Sequence, residues 1–191
     1  MKNKKRIDMM VALIFAIFTI TFLILFRTNQ DFFNWTFERH HNVLSWYVRP
    51  LFLIPFCFFA YKRSLAGISA TIFLQFTSMF WFPKPETTNE LVNQFLAMEM
   101  VYLQGELNFS LISQTLLIPI SFIALGVVLW KRNLKLGISV VILMTIGKMI
   151  WSVVQGGESG TSIFIPAMLG LIICIGAIAF GFKRLEKKAK Q

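Results

Sequence analysis

The chain has 191 residues, 56% of them hydrophobic and 15% aromatic, more apolar than soluble domains usually are. The apolar residues run in long blocks, which excludes a water-soluble globule. The net charge of +10 lies in short clusters between the blocks, a pattern unlike a nucleic-acid-binding surface.

Six blocks approach the roughly 20 residues needed to cross a hydrocarbon layer. They predict an all-α integral membrane protein, one domain over 1–191, folded as a bundle of six transmembrane helices over 9–26, 45–61, 65–82, 108–130, 136–154 and 163–182. The first block is long and lacks a small-residue cleavage site, so a retained helix is expected rather than a signal peptide.

After it, 31–45 reads as an outer interfacial segment, where Phe32, Phe33, Trp35 and Phe37, with Trp46 and Tyr47 just beyond, suit an aromatic belt. This segment holds both histidines, in Glu38-Arg39-His40-His41-Asn42. Adjacent side chains diverge in any regular structure, so His40 and His41 do not readily share a metal. Solvated interfacial histidines are expected, with no metal site and no cofactor. In the second block Arg49 and Pro50 interrupt the apolar run, and Pro50 suits a first helical turn. The block either spans fully or re-enters on the same side. Cys57 and Cys174 lie inside apolar blocks with no CxxC partner and read as small apolar filler.

The third and fifth blocks are alike. KRSLAGISATIFLQFTSMFW (62–81) aligns with KRNLKLGISVVILMTIGKMIW (131–151) across one gap, and LIP precedes each, at 53–55 and 117–119. Segments 2–3 and 4–5 therefore read as a duplicated hairpin. FIP at 164–166 and FKR at 182–184 are weaker echoes, and they leave open a pseudo-threefold arrangement with the first and sixth segments as a third pair.

Residues 87–104 predict an amphipathic outer helix. Thr87 and Glu90 have capping-box spacing; Leu91, Val92, Phe95, Leu96, Met98, Tyr102 and Leu103 share one face, opposite Asn89, Glu90, Asn93, Gln94 and Gln104. Glu99 falls in the middle of the apolar face, and Glu106 joins it if Gly105 does not break the phase.

Most of the 19 Lys and Arg lie on one side of this map: Lys2, Lys4, Lys5 and Arg6, the pair Lys62-Arg63, then Lys131, Arg132 and Lys135, and the tail with Lys183, Arg184, Lys187, Lys188 and Lys190. The positive-inside rule places both termini of a multipass cell-membrane protein in the cytoplasm. The basic ends also suit anionic lipid headgroups. Abundant Lys, Ile, Phe and Asn fit an AT-rich bacterial genome.

Polar residues inside the blocks form stripes: Thr145, Lys148, Ser152 and Gln155 on the fifth, and Thr71, Gln75 and Ser78 on the third, at equivalent positions of the repeat. Lys148 is the one charge well inside a block. It costs roughly 2.5–3.5 kcal/mol at mid-membrane, which the surrounding aliphatic residues offset. Lys148 either snorkels outward or is buried with an acidic partner or an anionic ligand. The candidate pocket comprises Lys148, Gln75, Ser78, Thr145, Ser152, Glu99, Glu106 and Arg49.

Three functions fit. A transporter or channel would bind a small polar or anionic solute at Lys148, with Glu99 as gate or proton relay. A membrane enzyme would act at the outer face on a lipid or lipid-linked substrate, with Glu99 or Glu106 as base, His40 or His41 as partner, and Arg39, Arg49 or Lys84 holding phosphate. A non-catalytic assembly partner would dock through its aromatic outer segments, with or without homo-oligomerisation. No GxSxG, HExxH or phosphate-loop pattern selects among them. The topology is checked by labelling single cysteines in intact cells. A cysteine at Asn133 should resist an impermeant thiol reagent until the membrane is opened, whereas one at Thr87 should react at once.

Overall fold

The computed structural model describes the backbone of residues 2–189 and the side chains of 3–184. The predicted basic residues Lys2, Lys187, Lys188 and Lys190 lie outside the described side chains. The described residues form no strand and nine helices: α1 (Lys2–Thr28), α2 (Gln30–His40), α3 (Leu44–Leu51), α4 (Leu53–Lys62), α5 (Leu65–Thr77), α6 (Glu90–Gln104), α7 (Phe109–Trp130), α8 (Leu134–Gly156) and α9 (Phe164–Ala189). Four helical stretches are long and apolar enough to cross a membrane: Asn3–Thr28, Leu44–Lys62, Phe109–Trp130 and the 51-residue Leu134–Arg184. The last contains α8 and α9, which fold against each other through a 3-10 turn at Gly157–Ile163. Leu65–Phe80, made of α5 and a 3-10 turn, is a shorter apolar helix.

The second apolar block differs in detail from expectation. Its helix starts at Leu44, so Pro50 sits inside α3 rather than in a first turn. Pro50 has no N–H to donate and crowds the preceding turn. The chain breaks helix at Phe52 and resumes as α4. The amphipathic helix α6 is also capped differently: Asn89, not Thr87, is its N-cap and accepts from Leu91 N at 2.8 Å.

The two Lys-Arg turns share one backbone geometry. Arg63 and Arg132 are the two described non-glycine residues with positive φ, 58° and 61°. Arg63 N donates to Ala60 O at 3.0 Å and Ser64 N to Phe59 O at 3.0 Å; Arg132 N donates to Leu129 O at 2.8 Å and Asn133 N to Val128 O at 3.1 Å. Both turns thus close the preceding helix in a left-handed cap of the Schellman kind. Ser64 then caps α5 by accepting from Gly67 N, and Asn133 caps α8 by accepting from Leu136 N. In both hairpins a glycine just inside the second helix lets the first helix approach. A Cβ at Gly67 would collide with the Phe59 ring, and one at Gly137 with the Leu129 side chain.

The basic segments gather at one end of the bundle. Asp8 of α1 accepts from Ser64 Oγ at 2.7 Å and from Leu65 N at 2.9 Å, so a carboxylate from another helix faces the positive N-terminus of α5. Arg63 Nε donates to Trp130 O at 3.2 Å, while the Arg132 guanidinium stacks on Tyr61 at 5.1 Å. Tyr61 in turn meets Phe182 of α9 edge-on at 4.4 Å. Below these turns lies one core around Phe56, Cys57, Ala60, Leu125, Leu129, Val141 and Cys174. At the opposite end α2, α3 and α6 close over a second, aromatic core of Phe22, Phe33, Phe37, Trp46 and Phe95 with Leu96 and Ile163.

Replacing Gly67 or Gly137 by alanine should lower stability by about 1–3 kcal/mol, the usual cost of overpacking. Gly147→Ala, with open space around its Cβ position, should cost less than either. Thermal unfolding of the purified variants in detergent checks the ranking.

Candidate functional site

The site lies beneath α6, at the end of the bundle opposite the Lys-Arg turns, and each of its members is placed by helical phase. On α2, Phe33, Phe37 and His40 recur at four- and three-residue spacing and form its buried face. His40 is 4% exposed. Its Nδ1 lies 3.0 Å from Ser45 Oγ, and its Nε2 lies 3.3 Å from Arg49 Nη1. The Ser45 hydroxyl spends its one proton on Asn42 O at 2.8 Å. Nδ1 therefore carries the hydrogen and donates to Ser45, and Nε2 accepts from Arg49. The ring is the neutral Nδ1–H tautomer. Burial first, then the charges of Arg49, Lys148 and His41, hold its pKa well below the ordinary histidine value.

Glu99 sits on the inner side of α6, between the Phe95 turn that packs into the aromatic core and Tyr102. Its Oε1 accepts from Lys148 Nζ at 2.7 Å, with Glu99 13% and Lys148 47% exposed. The ammonium also lies 4.2 Å from the Trp151 ring centre and 5.5 Å from that of Phe95. Lys148 is thus neither alone in hydrocarbon nor fully snorkelled: a carboxylate and two aromatic faces receive it. Glu99 is also the carboxylate whose charge acts on Arg49. His40, Arg49, Glu99 and Lys148 form one electrostatic unit. With His40 neutral, two cations face one anion. Beside it, an open cleft of about 520 Å³ is lined by Ala97, Met98, Val101, Tyr102 and Gln155, and Tyr102 packs edge-on against Trp151 at 5.2 Å.

The other predicted members lie elsewhere or are satisfied locally. Gly105 ends α6, so Glu106 leaves its phase and is exposed, away from Lys148. Thr145 Oγ1 donates to Val141 O at 3.0 Å. Ser152, fully buried, donates to Met149 O at 2.8 Å and lies 3.0 Å from Gly160 O. Ser78 donates to Gln75 O at 2.8 Å, and Gln75 Oε1 is buried with no partner. The two polar stripes do not face each other: α5 packs on α1 and α4, whereas α8 packs on α7 and α9. Sequence reasoning placed Lys148, Glu99 and Arg49 together but left His40 in the solvated interface. The Phe33/Phe37/His40 stripe was the signal for its burial. Of the other charges weighed for the outer face, Arg39 stacks on Trp35 at 4.2 Å and Lys84 pairs with Glu38 at 3.3 Å.

A double-mutant cycle on Lys148→Met and Glu99→Gln should give a coupling of about 1 kcal/mol, since the half-exposed ammonium is only partly shielded from solvent. A second expectation concerns pH. Because the folded state resists protonating His40, its contribution is present above the unfolded histidine pKa of about 6.5 and is lost as pH falls below it. The melting temperature should drop between pH 7.5 and 5, and His40→Gln should flatten that drop. Among known proteins, no protein-family model, no curated protein and no solved structure matches this chain.

Proposed function

We propose that the chain is a six-span membrane protein that binds a small monoanion at Lys148 and Arg49 and carries it across the cell membrane. In this reading α1, α3–α4, α5 with its following turn, α7, α8 and α9 are the spans, α4–α5 and α7–α8 are a duplicated hairpin, and the Lys-Arg turns and both termini face the cytoplasm. The shared geometry of the Arg63 and Arg132 turns supports the duplication. The clustering of Asp8, both turns and Phe182 at one end supports an even number of crossings.

The observation that carries the reading is the charge imbalance of the site. The Arg49 guanidinium and the Lys148 ammonium share one carboxylate, Glu99, and His40 is held neutral. An uncompensated charge in a poorly solvated site is costly, and one bound anion cancels it. Lys148 is the accessible cation, and the cleft along Tyr102 and Gln155 is the approach from the outer side. An arriving anion competes with Glu99 for the ammonium, and releasing Glu99 frees α6 to move. Internal repeats supply the two halves that rock about such a site in many carriers. The lipid-directed enzyme reading gains less support, because both His40 nitrogens are already engaged and neither is free to act as a base.

Proteoliposomes loaded with buffer should take up at least one of radiolabelled acetate, lactate or formate saturably. Lys148→Ala should cut uptake at least tenfold while the protein stays folded. Uptake indifferent to Lys148, or no saturable uptake of any monoanion, removes the transport reading.

A further inference from the structure

A second cavity, which shares no lining residue with the charged unit, opens between α1 and α7. It measures about 300 Å³, the lower end of ligand-sized pockets. Leu23 and Phe26 of α1, Phe33 of α2, Leu103 of α6, and Leu111 and Leu116 of α7 line it. A polar solute would lose its hydration against these side chains and find almost nothing to replace it. Hydrocarbon loses nothing.

Among the lining residues the one charge is Arg27, at the C-terminal end of α1. Its guanidinium is fixed: Nη1 donates to Leu103 O at 3.1 Å and Nη2 to Gly105 O at 2.8 Å. A guanidinium has five N–H donors in a planar fork. Two bonds to the end of α6 therefore orient the group and leave N–H donors unspent on an exposed residue. Arg27 follows the apolar run of α1 at the end opposite the Lys-Arg turns, the level at which a helix leaves hydrocarbon. Gln104 lies beside it, hydrogen-bonded to Gln30 at 2.9 Å.

We infer that this cavity is a binding site for a phosphate-headed lipid, with one acyl chain between α1 and α7 and the phosphate on Arg27. The hydrocarbon walls select the chain and the fixed guanidinium selects the headgroup, since a planar fork pairs with phosphate oxygens in a way that the hydroxyls of a diacylglycerol or a glycolipid do not reproduce. The lipid bridges α1, α6 and α7 at the point where Arg27 already ties α1 to the end of α6. It does not depend on the anion-transport reading.

The test uses the full chain reconstituted in vesicles of digalactosyldiacylglycerol, a bilayer lipid without phosphate, doped with a phosphatidylglycerol that carries a mid-chain diazirine, or with the matching diacylglycerol. After photolysis, the labelled peptides are mapped by mass spectrometry. Phosphatidylglycerol should label residues 103–116 and 23–33 above all other segments. Diacylglycerol should label them at least fivefold less. Leu116→Trp, which fills the cavity from a half-exposed position, should reduce labelling about tenfold with no loss of melting temperature, and Arg27→Gln should erase the preference for phosphatidylglycerol. Label spread over all apolar helices in proportion to exposure would overturn the site. Equal labelling by the two lipids would overturn the headgroup assignment. If Leu116→Trp proves unfolded, the wild-type map and the comparison of lipids still decide both points.

Discussion

A cation inside an apolar helix must find a partner, and the packing of the end opposite the Lys-Arg turns centres on how Lys148 finds one. The α8 helix carries the ammonium away from both ends of its span, where water cannot fully solvate it. The α6 helix brings a carboxylate back to it, and this requires α6 to lie over the bundle with its apolar face inward. Once Glu99 is directed inward, the aromatic core of Phe95, Trp46, Phe37 and Phe33 closes around it. The same closure buries His40 beside Arg49. The ion pair joins α6 to α8, and the Trp46–Phe95 and His40–Arg49 contacts extend that connection to α3 and α2.

The opposite end is organised by backbone chemistry. Two left-handed arginines end α4 and α7 in the same way, side-chain caps start α5 and α8, and glycines at the start of the second helices allow close approach. Asp8 adds a carboxylate to the exposed N–H groups of α5, which joins α1 to the first hairpin. These contacts require no ligand and leave no uncompensated buried charge, which fits a structural end opposed to a working one.

The helical character, the apolar stretches and the amphipathic face of 87–104 were legible in the sequence because hydrophobic period and turn chemistry are local. Phase alone placed Glu99 inward, and it met Lys148 from 49 residues away. What phase could not give was the neighbour of each helix. The sequence alignment sets the stripes of Gln75 and Thr145 at equivalent positions, yet α5 and α8 pack on different partners, and Thr145 and Ser78 donate to nearby backbone carbonyls of their own segments. Glu106 was lost to one glycine. His40 was misread because two adjacent histidines drew attention to metal binding, which needs a shared direction. The period of α2, which buries one of them, was the better guide.

The excess positive charge of the site depends on His40 remaining neutral beside Arg49. Nitrogen-15 solid-state NMR of histidine-labelled protein in bilayers at pH 5.5 reads this directly, with His41→Gln isolating the signal. An ordinary histidine would be about 90% imidazolium there, one unit below its pKa. The account predicts one protonated and one unprotonated ring nitrogen for His40. Two protonated nitrogens would place a third cation in the cluster and contradict it.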